Sequence, residues 1–258
     1  MNDLLQKIVE NKRREIAIAQ KNCPIESLRE VVEPTERDFR AALAGGRAEN
    51  RAKLIAEFKR RSPSKKTFSA NSELEKVVEV YDRHAAAVSI LTDHEFFGGS
   101  LEDIENARAA TDLPILRKDF IFDEYQILEA RQFGADAVLL IARILEIDEL
   151  EFLLAETKKL GMSALVEVHD SADLAKVAET SAEIIGVNSR NLDTLEIDLE
   201  RIFELAARIP PEKIIVAESG ISTRDDFEKL AGKFDAALVG SAILESENME
   251  AKIREFEK

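Results

Sequence analysis

Charged and amide side chains recur in this sequence at the ends of short apolar runs. The run Leu54–Lys59 is the clearest, because it leads straight into the polar, basic segment Arg60-Arg-Ser-Pro-Ser-Lys-Lys66. Side chains on a strand alternate faces, so Ile55, Glu57 and Lys59 share one face, which turns from apolar to charged along its length. The same parity puts Lys118, then Phe120, at the end of a third run, and Glu167 after Leu165 in a fifth. A sixth presents Asn188 and then Arg190, and a seventh presents Glu218. Ionised groups are costly to bury unless they meet each other, water or a ligand. Carboxylates and lysines gathered at one place can hold and pass protons. A layer of solvated salt bridges is the competing reading.

Two further turns carry a different chemistry. Ser219-Gly220-Ile221 and Gly240-Ser241-Ala242 are small and flexible, free backbone N–H groups and lead toward helix starts, an arrangement suited to a phosphate. Glycine is also simply a common turn residue. His84, His94 and His169 are too dispersed for a metal cluster, so no metal is expected. Cys23, the single cysteine, has no evident His partner and reads as a bystander thiol. Neither a Gly-x-Ser-x-Gly elbow nor a Walker loop is present.

These groups need a scaffold that brings five strand ends together. From Leu54 onward, short apolar runs alternate with amphipathic helices eight times. The expected strands are Leu54–Lys59, Ala87–Thr92, Ile115–Asp119, Ala137–Ala142, Ala164–Val168, Ile184–Asn188, Ile214–Glu218 and Ala237–Gly240. Ser72 with Glu75, Asp123 with Gln126 and Thr223 with Asp226 resemble capping boxes, and Gly134, Gly161 and Gly232 sit where helices stop. Alternation implies a parallel sheet, and eight units predict an α/β fold, a closed (β/α)8 TIM barrel with its chemistry at the C-terminal strand ends. A doubly wound open sheet is the alternative, but no Gly-x-Gly-x-x-Gly follows the first strand. Helices over Asp3–Lys21 and Thr35–Ala44, the second stopped by Gly45-Gly46, form an N-terminal extension. With no linker or low-complexity stretch, residues 1–258 are expected to form a single domain, with 1–46 as the extension.

The net charge of −15 argues against general nucleic-acid binding. Residues 1–66 nevertheless carry net +6 and residues 67–258 net −21, which leaves room for a small anionic ligand at a basic site. No apolar run approaches the roughly 20 residues of a membrane span, and no secretory leader is evident at Met1-Asn-Asp-Leu-Leu-Gln-Lys7. A cytoplasmic protein without membrane association is expected, and with the chain ending soon after the eighth helix, no fused second enzyme.

Seven segments in register resemble one family. They are Ile55-Ala-Glu-Phe-Lys-Arg-Arg-Ser-Pro-Ser64, Leu91-Thr-Asp-His-Glu-Phe-Phe-Gly-Gly-Ser100, Leu116-Arg-Lys-Asp-Phe120, Leu165-Val-Glu-Val-His169, Gly186-Val-Asn-Ser-Arg-Asn-Leu192, Ala217-Glu-Ser-Gly-Ile221 and Leu238-Val-Gly-Ser241. The pattern is similar to the indole-3-glycerol phosphate synthases, barrels of tryptophan biosynthesis. These lyases close the indole ring of 1-(2-carboxyphenylamino)-1-deoxyribulose 5-phosphate with loss of CO2 and water, without a cofactor.

The resemblance implies roles. Lys118 is the general acid at the substrate carbonyl and Glu167 the general base, or proton-exchanging partner, in dehydration, while Lys59 pairs with the substrate carboxylate or assists proton transfer. Glu57, Asn188 and Glu218 hold hydroxyls and orient the lysines. Ser62, Lys59, Ser219, Gly220, Gly240 and Ser241 hold the phosphate, and Arg190 supports the site. Pro63, Phe97, Phe120, Leu139, Ile141 and Leu192 form the apolar wall for the aryl ring, although Leu139 and Ile141 read equally as barrel core. A lysine serving as acid is expected to be poised near neutral pH. Three departures stand out: Lys66 occupies a position where the family commonly has glycine, Ser189 one where it commonly has asparagine, and no Trp is available to cover the substrate from the N-terminal helix. Two other readings remain: a phosphoribosylanthranilate isomerase, which would need a Cys and Asp pair, and a phosphosugar-binding barrel without turnover.

Overall fold

The computed structural model describes residues 3–63, 67, 73–191 and 196–257. Eight parallel strands follow one another around a closed barrel, and the first pairs with the last. They are β1 (Lys53–Phe58), β2 (Ala87–Leu91), β3 (Ile115–Lys118), β4 (Ala137–Ile141), β5 (Ser163–Val168), β6 (Ile184–Asn188), β7 (Ile214–Glu218) and β8 (Ala236–Val239). Each lies within about a residue of its expected bounds. Lys59 falls just beyond β1, where the chain has already left the sheet.

The barrel has two apolar layers because its strands are covered on both faces. Ile55, Leu116, Leu139, Leu165, Ile184 and Val216 point inward and fill the barrel. Ala56, Val88, Val138, Val166, Val187 and Ala217 point outward, under helices that include α4 (Leu74–Asp82), α6 (Glu102–Ala110), α7 (Glu124–Gln132), α8 (Ile147–Lys159), α9 (Ser171–Ala178) and α10 (Leu199–Ala206). Short helices α5 (His94–Phe97), α11 (Arg224–Glu228) and α12 (Ser241–Leu244) sit in the loops after β2, β7 and β8, and α13 (Met249–Glu257) follows. The capping boxes at Asp123 with Gln126 and Thr223 with Asp226 form as expected. At the start of α8 the Glu149 side chain accepts from the Glu146 N–H at 2.8 Å, unannounced in the sequence because glutamate is a poor N-cap residue. Ser72 lies outside the described residues, and α4 begins at Leu74 without a side-chain cap.

The extension departs from expectation. Helix α1 (Asp3–Asn22) runs as read, but a second helix, α2 (Ile25–Val31), follows at once with Pro24 as its N-cap. The next, α3, covers only Phe39–Leu43 instead of Thr35–Ala44. The reason is local: the Thr35 hydroxyl donates to Asp136 Oδ1 at 2.5 Å and accepts from the Arg37 N–H at 3.1 Å, holding residues 35–37 out of a helix. Asp38 then caps α3 by accepting from the Ala41 N–H. Phe39 and Leu43, both fully buried, join the inner apolar cluster, so α3 contributes two residues to the barrel core.

Helix α1 serves the mouth. Leu5, Ile8, Val9 and Ile16 form its buried stripe, and Lys12 lies on that same stripe. Lys12 is 4% exposed, and its ammonium reaches Asp93 at 3.1 Å after β2 and Asp119 at 3.1 Å after β3. A buried ion pair therefore pins α1 across the C-terminal strand ends.

Candidate active site

Strand parity delivers the charged groups to one place. Glu57, Glu167 and Glu218, on β1, β5 and β7, are almost fully buried around two ammonium groups. Lys118 Nζ lies 2.6 Å from Glu218 Oε2 and 3.4 Å from Glu167 Oε2. Lys59 Nζ donates to Glu57 Oε1 at 2.5 Å. Asn188 Oδ1 accepts from the Arg190 N–H at 3.0 Å, which shapes the turn after β6.

Two glycines make room for the carboxylates. A Cβ on Gly186 would stand 2.0 Å from Glu218 Oε1, and one on Gly240 2.7 Å from Glu57 Oε1. A side chain at Gly186 requires the Glu218 carboxylate to move.

Above this floor lies a cavity of about 370 Å³. Every described residue assigned to the site from the sequence lines it. Leu192 and Lys66 lie outside the described residues. The apolar half includes Pro63, Phe97, Phe120, Leu139 and Ile141, with the Phe97 and Phe120 rings 6.1 Å apart. The opposite rim is built from turns. Ser219 and Gly220 both have positive φ, 65° and 73°, and Gly220 is followed closely by α11. A non-glycine residue at positive φ is a strained arrangement that marks functional turns. On the next strand, Gly240 precedes α12, whose first residues Ser241 and Ala242 also line the cavity.

The chain matches the indole-3-glycerol phosphate synthase family over residues 5–256. A protein named indole-3-glycerol phosphate synthase from Burkholderia ambifaria is 42% identical over 250 residues, spanning 96% of each chain. One of the same name from Albidiferax ferrireducens is 43% identical over 248 residues, 95% of this chain and 94% of its own. The chain belongs to the indole-3-glycerol phosphate synthase family.

In this synthase-family site the protons are not distributed as the sequence reading expected. Lys118 is not poised near neutrality. Burial opposes its charge, but Glu218, Glu167 and Glu57 more than offset it and hold the ammonium well above its ordinary range. Between the two carboxylates that share Lys118, the environments diverge. Burial, aided by the charge of Glu167, pushes Glu218 up. Glu167 is held down despite burial, by Lys118 and then by His169. A pair of carboxylates with pKa values driven apart is suited to acid and base roles in one cycle.

The sequence reading missed the contribution of α1 to the cavity, where Leu4, Leu5 and Ile8 stand in the wall. No aromatic residue was available there to announce it. Leu91, Ile197 and Leu238 complete the apolar lining. Cys23 packs beside Ile16, Leu28 and Tyr125, away from the cavity, so no Cys and Asp pair of the isomerase kind is assembled among the described residues. Nor does any group of three or more His, Cys, Asp or Glu among them have the arrangement of a metal site. No described helix is long and apolar enough to cross a membrane.

Proposed function

We propose that the chain closes the indole ring of 1-(2-carboxyphenylamino)-1-deoxyribulose 5-phosphate, giving indole-3-glycerol phosphate, CO2 and water. One observation carries this reading: Lys118, held between Glu167 and Glu218, forms the floor of a cavity with an apolar wall on one side and glycine turns on the other. The aryl group fits the wall of Phe97, Phe120, Pro63, Leu139 and Ile141, with Leu192 as a further candidate, and Leu4, Leu5 and Ile8 cover it from α1. The phosphate goes to Ser219, Gly220, Gly240 and Ser241, with Ser62 and Lys59 on the same rim.

Positioning supplies much of the rate, because the ring carbon bearing the carboxylate must approach the ketone carbon in line. As the carbon–carbon bond forms, Lys118 donates a proton to the carbonyl oxygen, which becomes a hydroxyl. Loss of CO2 leaves its bonding electrons in the ring. Lys59, released from the carboxylate once CO2 has gone, gives the hydroxyl the second proton with which it departs as water, and Glu167 takes the proton whose removal completes the indole double bond. Lys59, held by Glu57, pairs with the substrate carboxylate, while Asn188, Glu218 and Glu57 bind hydroxyls and Arg190 supports the turn. Electrons balance without an outside donor or acceptor, so no redox cofactor is proposed. We take residues 1–258 as one barrel domain with 1–46 as its extension, and assign it to the cytoplasm, since a phosphorylated substrate does not cross membranes unaided.

Indole fluorescence tests the activity directly, because the protein has no Trp. A rise on adding the substrate is expected. Silence alongside calorimetric binding would leave a phosphosugar-binding barrel without turnover. Within the site, Gly186→Ala is expected to lower kcat roughly 10²-fold, as a displacement of about 1 Å in a catalytic group can do. The added methyl displaces Oε1 of the carboxylate whose other oxygen holds Lys118. An unchanged kcat, with the fold intact by circular dichroism, would remove Glu218 from the machinery.

A further inference from the structure

His169 is almost fully buried and does not line the cavity, yet it sits directly behind Glu167. Its Nε2 is 2.7 Å from Glu167 Oε1, and its Nδ1 is 3.1 Å from the Arg190 carbonyl oxygen. Both ring nitrogens therefore face oxygens that accept hydrogen bonds. A neutral imidazole carries one N–H and can satisfy only one of them. If Nδ1–H serves the carbonyl, which can only accept, a bare Nε2 would confront a carboxylate. A second proton must occupy the Nε2···Oε1 contact. Lys118 stands on the other oxygen of Glu167, 3.4 Å from Oε2, and favours the ionised carboxylate, which places that second proton on the ring.

We propose that His169 is a positioning residue, doubly protonated in the resting protein, whose Nε2–H holds Oε1 of Glu167 and leaves Oε2 as the oxygen that exchanges protons with substrate. This rests on the reading of Glu167 as the base given above. The consequence is regiochemical. Oε1 is occupied by the imidazolium, so a proton gained by Glu167 in the reaction goes to Oε2, on the side where Lys118 sits. The ring is itself fixed at Nδ1 by a backbone oxygen, so Glu167 cannot swing without breaking a second bond. Metal ligands are oriented by the same kind of histidine contact, with the carboxylate here in the metal's place.

The surroundings of the ring are mixed in sign. Glu167 from β5 favours the charge, as does the Arg190 carbonyl beyond β6. Asp173 from α9 accepts from the His169 backbone N–H at 2.9 Å. Arg143, in the turn after β4, opposes the charge but is itself paired with Asp170 and Asp173. Lys118 and Glu218 lie on the far side of Glu167. Burial works against the imidazolium, and Glu167 reverses it, leaving His169 above the ordinary histidine range.

Histidine nitrogen NMR on the full chain tests the proposal without any turnover. Only His84, His94 and His169 contribute signals, and His169→Gln assigns the third. Both ring nitrogens of His169 are expected to remain protonated at pH 8, where a histidine of ordinary pKa, about 6.5, is neutral. A His169 with one unprotonated nitrogen at pH 8 overturns the proposal, whether or not the protein makes indole. In the activity arm, His169→Gln removes a charged donor from Glu167 and lets its pKa rise. The acid limb of the kcat/KM profile then moves to higher pH by about one unit, with KM little changed. A limb that stays in place in folded His169→Gln also overturns it. Should the parent itself yield no indole, the activity reading fails and the NMR result still decides the protonation of the ring.

Discussion

Lys118→Ala is expected to lower kcat for ring closure by roughly 10²–10⁴-fold, the range that a positioned general acid supplies. The fold should survive, for an electrostatic reason. Removing the ammonium leaves Glu167 and Glu218 buried side by side, an arrangement that would be costly if both stayed ionised. Glu218 is already pushed up by burial and by its neighbour, so it takes a proton and the pair becomes a neutral acid beside a carboxylate that His169 still supports. Thermal melts at pH 6 and pH 9 check this account. The variant should lose more stability at the higher pH, because keeping Glu218 protonated becomes harder as pH rises through its elevated pKa. Lys118→Arg is the sharper control. A guanidinium keeps the charge but its planar, delocalised fork is a far poorer proton donor to an alkoxide than a single ammonium, so it should leave kcat low while protecting the alkaline melt. Activity close to the parent in Lys118→Arg would make the residue an electrostatic clamp instead of an acid.

The charged floor was legible because strand parity is a strict code. Once Ile55 and Leu165 were read as facing inward, Glu57 and Glu167 followed two residues later, Glu218 came at the end of the seventh run, and the structure places all three together. The pKa of Lys118 was not legible, since it depends on how many carboxylates surround it and at what distance. Residue types alone allowed either direction. The covering wall from α1 was hidden for another reason. An amphipathic stripe says that one face of a helix is buried but not against what, and Leu4, Leu5 and Ile8 would read the same on any surface. His169 was weighed only as a metal ligand, although its place two residues after Glu167 brings the ring beside the carboxylate. Helix α2 and the shortened α3 depend on Pro24 and on the Thr35 bond to Asp136, about a hundred residues away in sequence, which no local pattern encodes.

Lys12 was legible in principle, because it falls on the stripe of Leu5, Ile8, Val9 and Ile16 where an apolar residue belongs. Lys12→Met should therefore keep the packing and remove only the charge. Breaking a buried pair from one side costs about 3–5 kcal/mol, since the partner stays buried without compensation. Asp119 keeps Arg117 at 3.1 Å and the Thr92 hydroxyl at 2.7 Å, so the uncompensated group is Asp93, which is fully buried. The loss falls on the docking of α1, and amide exchange along Asp3–Asn22 should quicken by roughly two to three orders of magnitude while the strands stay protected. KM should rise more than kcat falls, because the wall of Leu4, Leu5 and Ile8 is released from the aryl site while the proton machinery on the floor is untouched. The pH dependence has a definite sign. Asp93 already sits above its ordinary pKa, through burial first and the nearby Asp119 charge next, with Lys12 working against both. Without Lys12 it rises further, so the ionised form penalises the docked state at neutral pH and above, and the penalty fades as pH falls through the new value. The difference in α1 exchange between Lys12→Met and the parent should accordingly shrink on acidification. Lys12→Met with Asp93→Asn should recover most of the protection at pH 8, since asparagine can still cap α5 through the Phe96 N–H. Exchange in the double variant as fast as in Lys12→Met would mean that α1 is held by its apolar stripe and that the buried ion pair is incidental.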